Sequence, residues 1–428
     1  MKLFNSTRNP IITGVLCLFV ISCQQSPKQI TITNPLDTDR PDELVVLKRA
    51  DLEKKLGSIA AGKYVTFKKP TGVPFVVQFD DLDGDNTWDE AAFLYSFKPH
   101  EQLQLEPAIV GAPATIKAVV RAHVRQIRKN NDNTFGDAVN KDTMPVNNQP
   151  TDFSKQALPP YLTEGPAWEN DKVGFRVYFD VRNGKDIWGK TTPAMMMDEV
   201  GRDTSKSYHK QADWGMDILK VGASLGAGSL ALQVPLQNGK DTLVRLGGSN
   251  IKQVTYEKIA DGPVRAIFRM KYADWKVADN LPPVTLTETI SIWGGEYCYE
   301  SNVSVSNAPS GSRLVTGIVN LHSNQVHEID TVGYKSIYTY DVQSENNDKL
   351  GLAIIMPGNR SVVTGVTPNA NADIQNTYTI AAPVQNKQSI VFRFYAGWER
   401  SEEQFTNEAG FRKYITAEMV KWARPISD

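Results

Sequence analysis

Apolar and polar residues alternate with period two along much of this chain, and that spacing admits sheets with one buried face and little else. In 115–126, Ile116, Ala118, Val120, Ala122 and Val124 point one way, while Lys117, Arg121, His123 and Arg125 point the other. In 174–182, Phe175, Val177, Phe179 and Val181 oppose Arg176, Tyr178, Asp180 and Arg182. Similar strands read at 264–272, 284–293, 297–306, 336–342 and 390–396, separated by turn clusters such as Asp261-Gly262-Pro263 and Trp293-Gly294-Gly295. Helical periodicity is confined to a short stretch at 51–56 and a longer one at 408–424, stopped by Pro425. Strand following strand predicts an all-β chain, a large antiparallel β-sandwich with few short helices.

The first residues do not belong to that pattern. Lys2 and Arg8 precede an apolar run at 11–21, too short for the roughly 20 residues a membrane span needs. A basic start and a short apolar stretch read as a secretory leader. It ends in Val20-Ile21-Ser22-Cys23, which resembles the bacterial lipobox, so Cys23 is the expected lipid anchor and 1–22 the removed signal. Residues 23–40 are then a polar tether and 41–428 a single β-sandwich catalytic domain. The expected place is the outer membrane, facing the periplasm, with the membrane met only through lipid. With Cys17 leaving and Cys23 acylated, Cys298 stands alone, and its alternating surroundings make it a buried structural thiol. The 428 residues carry 47 Lys and Arg against 48 Asp and Glu, a balance that argues against a nucleic-acid partner.

Three motifs offer chemistry. Gly222-Ala223-Ser224-Leu225-Gly226 fits the nucleophile-elbow spacing, but that elbow needs a strand–turn–helix context that is missing here, and close turn packing explains the glycines better. Asp81, Asp83, Asp85 and Asp89 surround Gly84 in an oxygen-rich loop suited to a structural calcium, although the bidentate Glu of an EF-hand is replaced by Ala92. The long, weakly patterned segment 191–217 holds Arg202, Tyr208-His209-Lys210 and Trp214, and such loops are often binding or lid loops. His123 shares a strand face with Arg121 and other cations. Cations on several strand faces, with Trp168, Trp214 and Trp398 in or beside loops, point to an anionic ligand with rings to stack.

The segments 164–171 (Glu-Gly-Pro-Ala-Trp-Glu-Asn-Asp), 174–180, Tyr208-His209, 213–217, Gly262-Pro263-Val264-Arg265 and Ala396-Gly397-Trp398-Glu399 together resemble a family of exported bacterial polysaccharide-utilisation proteins that includes ulvan oligosaccharide dehydratases. The resemblance implies a galactose-mutarotase-like supersandwich. It also implies a lyase that eliminates water, the C5 proton and the C4 hydroxyl, from the non-reducing-end glucuronate or iduronate of a sulfated oligosaccharide. No cofactor is required for that. The chemistry needs a base for the C5 proton, an acid for the C4 oxygen and a cation for the carboxylate. The residue types nominate His209 and His123 as bases flanking the sugar and Tyr208 as the acid. Arg202, Arg121 or Arg176 would serve as the cation, and Tyr178, Trp168, Lys210, Trp214 and Trp398 would bind the oligosaccharide. Two other readings stay open: a lipoprotein that captures acidic oligosaccharides without reacting, and a sugar mutarotase or epimerase.

Overall fold

The computed structural model describes residues 1, 29–69, 75–113, 116–144, 152–236, 241–358, 361–367, 372–385 and 388–427. The leader, with Cys17 and Cys23, lies outside them. Every strand pairing in the sheets is antiparallel, and two α-helices, Arg49–Leu56 and Glu408–Ala423, are the only ones among the described residues. The chain is all-β, as the alternation predicts.

A nine-stranded sheet forms one layer, and two five-stranded sheets face it. Alternation puts Ala266, Phe268, Met270 and Tyr272 of strand Arg265–Trp275, and Leu286, Ile290 and Ile292 of strand Val284–Trp293, on the inward side. Opposite them lie Trp168, Phe175 and Ile187 from one five-stranded sheet and Leu230, Leu232 and Ile318 from the other. The strand predicted at 284–293 has those bounds. The one expected over 115–126 shrinks to Ala122–Arg125, and 174–182 divides into the strand Val173–Val177 and a turn before Lys185–Lys190.

The outer side of the nine-stranded sheet is covered in part by the C-terminal helix. Asn407 caps it by accepting from the Gly410 N–H at 2.9 Å. Phe411, Ile415 and Met419 recur every four residues and present one buried stripe. Phe411 seats in a slot left by two cross-strand partners, Gly351 and Gly397, where a Cβ would meet its ring at 2.5 and 2.8 Å.

The N-terminal tether ends earlier than expected. Ile30–Thr33 is a strand paired with Gln102–Val110, its Ile30 and Ile32 are buried, and Thr33 bridges to Ser427. Residues from 30 onward therefore belong to the fold, and with Val45, Phe67, Phe93 and Leu105 they form a second apolar cluster of their own.

Candidate active site

The relevant five-stranded sheet runs Gly215–Asp217, Lys185–Lys190, Val173–Val177, Ala167–Asn170, Ala122–Arg125. Its inner face is apolar apart from Lys185 and Asn170. Its other face carries His123, Arg125, Glu169, Arg176, Asp186, Lys190 and Asp217, all but His123 nearly sealed from water. The period-two pattern makes this look like a solvated face. The cover is the segment 191–214, whose Met197 and Val200 pack with Ala167 and Trp188.

Buried charge pins that cover. Glu169 accepts from the backbone N–H groups of Met196 and Met197 at 2.6 and 2.7 Å and pairs with Lys190, which in turn donates to the Ala194 carbonyl. Arg125 donates to the carbonyls of Met197, Leu162 and Gly165 and to the Thr163 hydroxyl. An unpartnered ion here would be very unfavourable, and each one has partners. The cations expected to meet an anionic ligand instead hold the loop. The same correction applies to the other strand-face arginines. Arg265 pairs with Asp80 and Glu90, Arg269 with Glu257, and Arg393 with Glu300.

Several candidates fall away for stated reasons. Trp168 and Trp398 are core residues, Trp168 stacked on Phe175 and Trp398 donating to Asp348 at 2.6 Å, so neither can face a sugar. Tyr178 is buried and donates to Asp186 at 2.5 Å. Arg121 is spent on Asp42 and Asp171. Arg202 directs its guanidinium at the carbonyls of Asp198, Phe135 and Gly136. Ser224 is fully buried and donates to the Val221 carbonyl at 2.6 Å, and a Cβ at Gly226 (φ +53°) would sit 2.3 Å from the Lys185 carbonyl, so the serine motif is tight packing. Cys298 is buried, and burial pushes its thiol up.

His123 is held at both ring nitrogens, Nδ1 3.0 Å from Asp261 and Nε2 3.1 Å from Asp198. Burial alone would favour the neutral ring, but the two carboxylates outweigh it and raise the pKa to about 9. At neutral pH this is an imidazolium without a free lone pair, and it cannot serve as the second base. It also rises from one edge strand while His209 lies over the other, four strand spacings or about 19 Å away. A group whose pKa is higher folded than unfolded adds stability below its unfolded value, near 6.5, and loses it as pH rises through 9. We expect about 2–3 kcal/mol of stability to disappear between those limits. Comparing denaturant midpoints at the two ends, in the protein and in His123→Gln, checks this: an equal slope in the variant would assign the loss elsewhere.

Beside the opposite edge the arrangement is different. Arg176 is buried, with Nη2 2.8 Å from Asp186 and 2.6 Å from Asp217, and Nη1 3.4 Å from the Tyr208 hydroxyl. Its guanidinium lies over the Tyr208 and Trp188 rings, 5.3 and 4.9 Å from their centroids. Burial and the neighbouring Asp186 push the Asp217 carboxyl well above the usual range, against the pull of Arg176. His209 rests its Nδ1 3.3 Å from Asp217 and its ring 4.5 Å from that of Tyr208, while its side chain stays 58% exposed. Burial of its inner edge and the Arg176 charge lower its pKa, so the ring is neutral at pH 7. A proton on Nδ1, the nitrogen nearer Asp217, leaves Nε2 with the lone pair. Lys210 is exposed next to it, and Trp214 is half-buried against Trp188. A neutral imidazole with a carboxyl at its side, beside a phenol contacted by a guanidinium, can move protons in both directions.

Asp217 and Asp186 are the members that sequence reasoning passed over. Arg176 and Asp186 face each other across a hairpin centred on residue 181, and Asn183-Gly184 was its signal. No spacing links either to Asp217.

The acidic loop brings Asp81, Asp83 and Asp89 within reach of one another, without Asp85. Backbone N–H groups already occupy its carboxylates: Gly84 and Asn86 on Asp81, Asp85 on Asp83, Thr87 on Asp85, Leu82 on Asp89. The loop closes on itself, as acidic turns do.

Among solved structures the chain is similar to an alpha-mannosidase from Enterococcus faecalis V583, with 11% identity and a TM-score of 0.50. The likeness covers 93% of this chain, which spans less than half of that one, at 45%, and it concerns the fold alone. A family 38 glycosyl hydrolase protein from Enterococcus faecalis gives a TM-score of 0.48, with 47% of its length spanned. Among curated sequences, "Uncharacterized protein P7" of Formosa agariphila is 24% identical over 418 residues, 93% of this chain and 92% of that protein. The family described as Domain of unknown function (DUF4861) matches residues 32–427, and the chain belongs to it.

Proposed function

We propose that the protein is a hydro-lyase that removes water from the uronate at the non-reducing end of an acidic oligosaccharide, leaving a 4,5-unsaturated ring. One observation carries this reading: an exposed, neutral His209 lying against Asp217 and in ring contact with Tyr208, whose hydroxyl meets buried Arg176. His209 Nε2 takes the C5 proton, the C4–O bond breaks as the C4–C5 double bond forms, and Tyr208 gives its proton to the departing oxygen, which leaves as water. The imidazolium then returns a proton to the phenolate beside it, so the pair is restored without a cofactor. Lys210, exposed and next in sequence, is the cation for the uronate carboxylate now that Arg121 and Arg202 are committed elsewhere. Trp214 borders the same surface. A calcium ion at the acidic loop would be structural in this scheme, since that loop supplies none of these groups. The reading also keeps the lipid-anchored, periplasm-facing placement for the exported chain.

Incubation with uronyl oligosaccharides of defined sequence, followed by mass spectrometry and absorbance of the conjugated product, tests the proposal. Loss of one water mass is the expected result. Binding without mass change would favour a capture protein, and inversion without mass change an epimerase.

A single base limits the stereochemistry. His209 and Tyr208 approach from one side, and in glucuronate the C5 hydrogen and the C4 oxygen lie on the same side of the ring, whereas in iduronate they lie on opposite sides. We expect glucuronate-ended oligosaccharides to turn over about 10²-fold faster than iduronate-ended ones, the low end of what one positioned base contributes. Equal rates on matched pairs would require a second base and return His123, or another group, to the mechanism.

A further inference from the structure

On the side of the nine-stranded sheet turned away from the His209 surface lies a cleft of about 540 Å³, within the roughly 300–1,000 Å³ of small-ligand sites. Its floor is built from neighbouring strands: Arg269 opposite Thr289, Thr289 opposite Asn302, and Glu300 opposite Arg393. The N-terminal strand Arg40–Lys48 and the C-terminal helix wall it in.

Three features show unspent hydrogen-bonding capacity. Arg393 is held between the indoles of Trp293 and Trp422, at 5.1 and 4.3 Å, and its Nε donates to Glu300 at 3.0 Å. Its two terminal nitrogens find no acceptor among the described residues, and they are not sealed off, so they open on the cleft. Thr289, Ser291 and Asn302 likewise make no side-chain hydrogen bond among the described residues while lining the same space. Glu296 accepts from the Tyr414 hydroxyl at 2.9 Å and lies 3.4 Å from Lys421, and burial together with Glu418 raises its pKa to about 7, so near neutrality it can accept or donate.

The charges choose the ligand class. Five carboxylates and four cations line the cleft, so the two signs nearly balance. An anion drawn to Arg393 would meet Glu300 at close range, and a cation would meet Arg393 and Lys421. Hydroxyl groups both donate and accept, and a ring of them suits a wall that offers both in fixed positions. We infer that this cleft binds an uncharged sugar residue, at a site separate from the proposed catalytic one.

Isothermal titration of the full chain with methyl β-xyloside and methyl α-rhamnoside tests this, with tryptophan fluorescence as the second readout because two indoles flank Arg393. Saturable binding and a fluorescence change are expected with at least one glycoside. Arg393→Met should weaken it more than about tenfold and Asn302→Leu about fivefold, the losses expected for charged and neutral hydrogen bonds. Asn302 is exposed, so its variant decides the matter even if Arg393→Met fails to fold. No saturable binding by the protein, or binding unchanged in Asn302→Leu, overturns the inference. Neither glycoside carries a carboxylate, so this result is independent of whether uronates are dehydrated.

Discussion

Replacing His209 with glutamine lowers kcat on a uronyl oligosaccharide by about 10²–10⁴-fold, the contribution of a well-placed proton acceptor. Glutamine keeps a polar side chain of similar size beside Asp217 but offers no basic nitrogen. KM should move little, because the imidazole acts on the C5 hydrogen and the sugar is held by its other contacts. Tyr208→Phe should cost a similar factor, and the double variant little more than either alone, since one proton cycle passes through both rings. The pH profile of the unmodified protein separates this role from a structural one. Burial and the Arg176 charge hold the His209 pKa below its ordinary value of about 6.5. The acidic limb of kcat/KM should therefore fall below that value, with full activity retained above it, and it should vanish from the residual rate of His209→Gln. Unchanged turnover in that variant would remove His209 from the mechanism.

How much of this could be read in the sequence depends on distance along the chain. Local patterns transferred well. The strand at 284–293 has alternation, a Gly-Gly turn behind it and no competing signal, and its bounds agree with the structure. The C-terminal helix is legible from its apolar spacing and Pro425. The polar face of the 115–126 segment misled, because alternation reports two different faces without saying that both are covered. His123 and Arg125 look like a cationic surface in one dimension. In three, Asp198 and Asp261 come from 75 and 138 residues away to bracket the charged histidine, and the carbonyls of Met197, Leu162 and Gly165 surround the arginine. The tryptophans failed for a related reason: Trp168 sits next to a turn in sequence, yet its strand faces the core. Tyr208 and His209 survived because they are adjacent in the chain, so their proximity needed no fold to create it. Asp217, which lies against the imidazole, had to be brought there by the sheet.

Deep in the sandwich a fully buried ion pair spans the two layers, and removing one end of it gives the largest stability effect we expect. Lys185, at 2% exposure, reaches from the five-stranded sheet to Glu288, at 1%, on the nine-stranded sheet, with Nζ 2.5 Å from Oε1. Lys185 also donates to the Gly228 carbonyl at 3.1 Å, and Glu288 accepts from Ser301 at 2.5 Å. Glu288→Ala leaves the ammonium in the interior with only the Gly228 carbonyl and the Tyr299 and Phe392 rings beside it and no counter-charge. A loss of about 3–5 kcal/mol follows, read from the urea midpoint. Burial already lowers the Lys185 pKa against the pull of Glu288, and without the glutamate the depression deepens. A lysine that gives up its proton sooner when folded destabilises at low pH and relaxes as pH rises, so its contribution to the deficit should be full at the acid end and shrink as pH climbs toward the ordinary lysine value of about 10.4. The double replacement Lys185→Met with Glu288→Leu removes both charges while keeping the volume. It should recover most of the loss, because the stability lost in the single variant belongs to the stranded charge, not to the attraction between the pair. If the double variant were as unstable as Glu288→Ala, the bridge itself would be what joins the two layers.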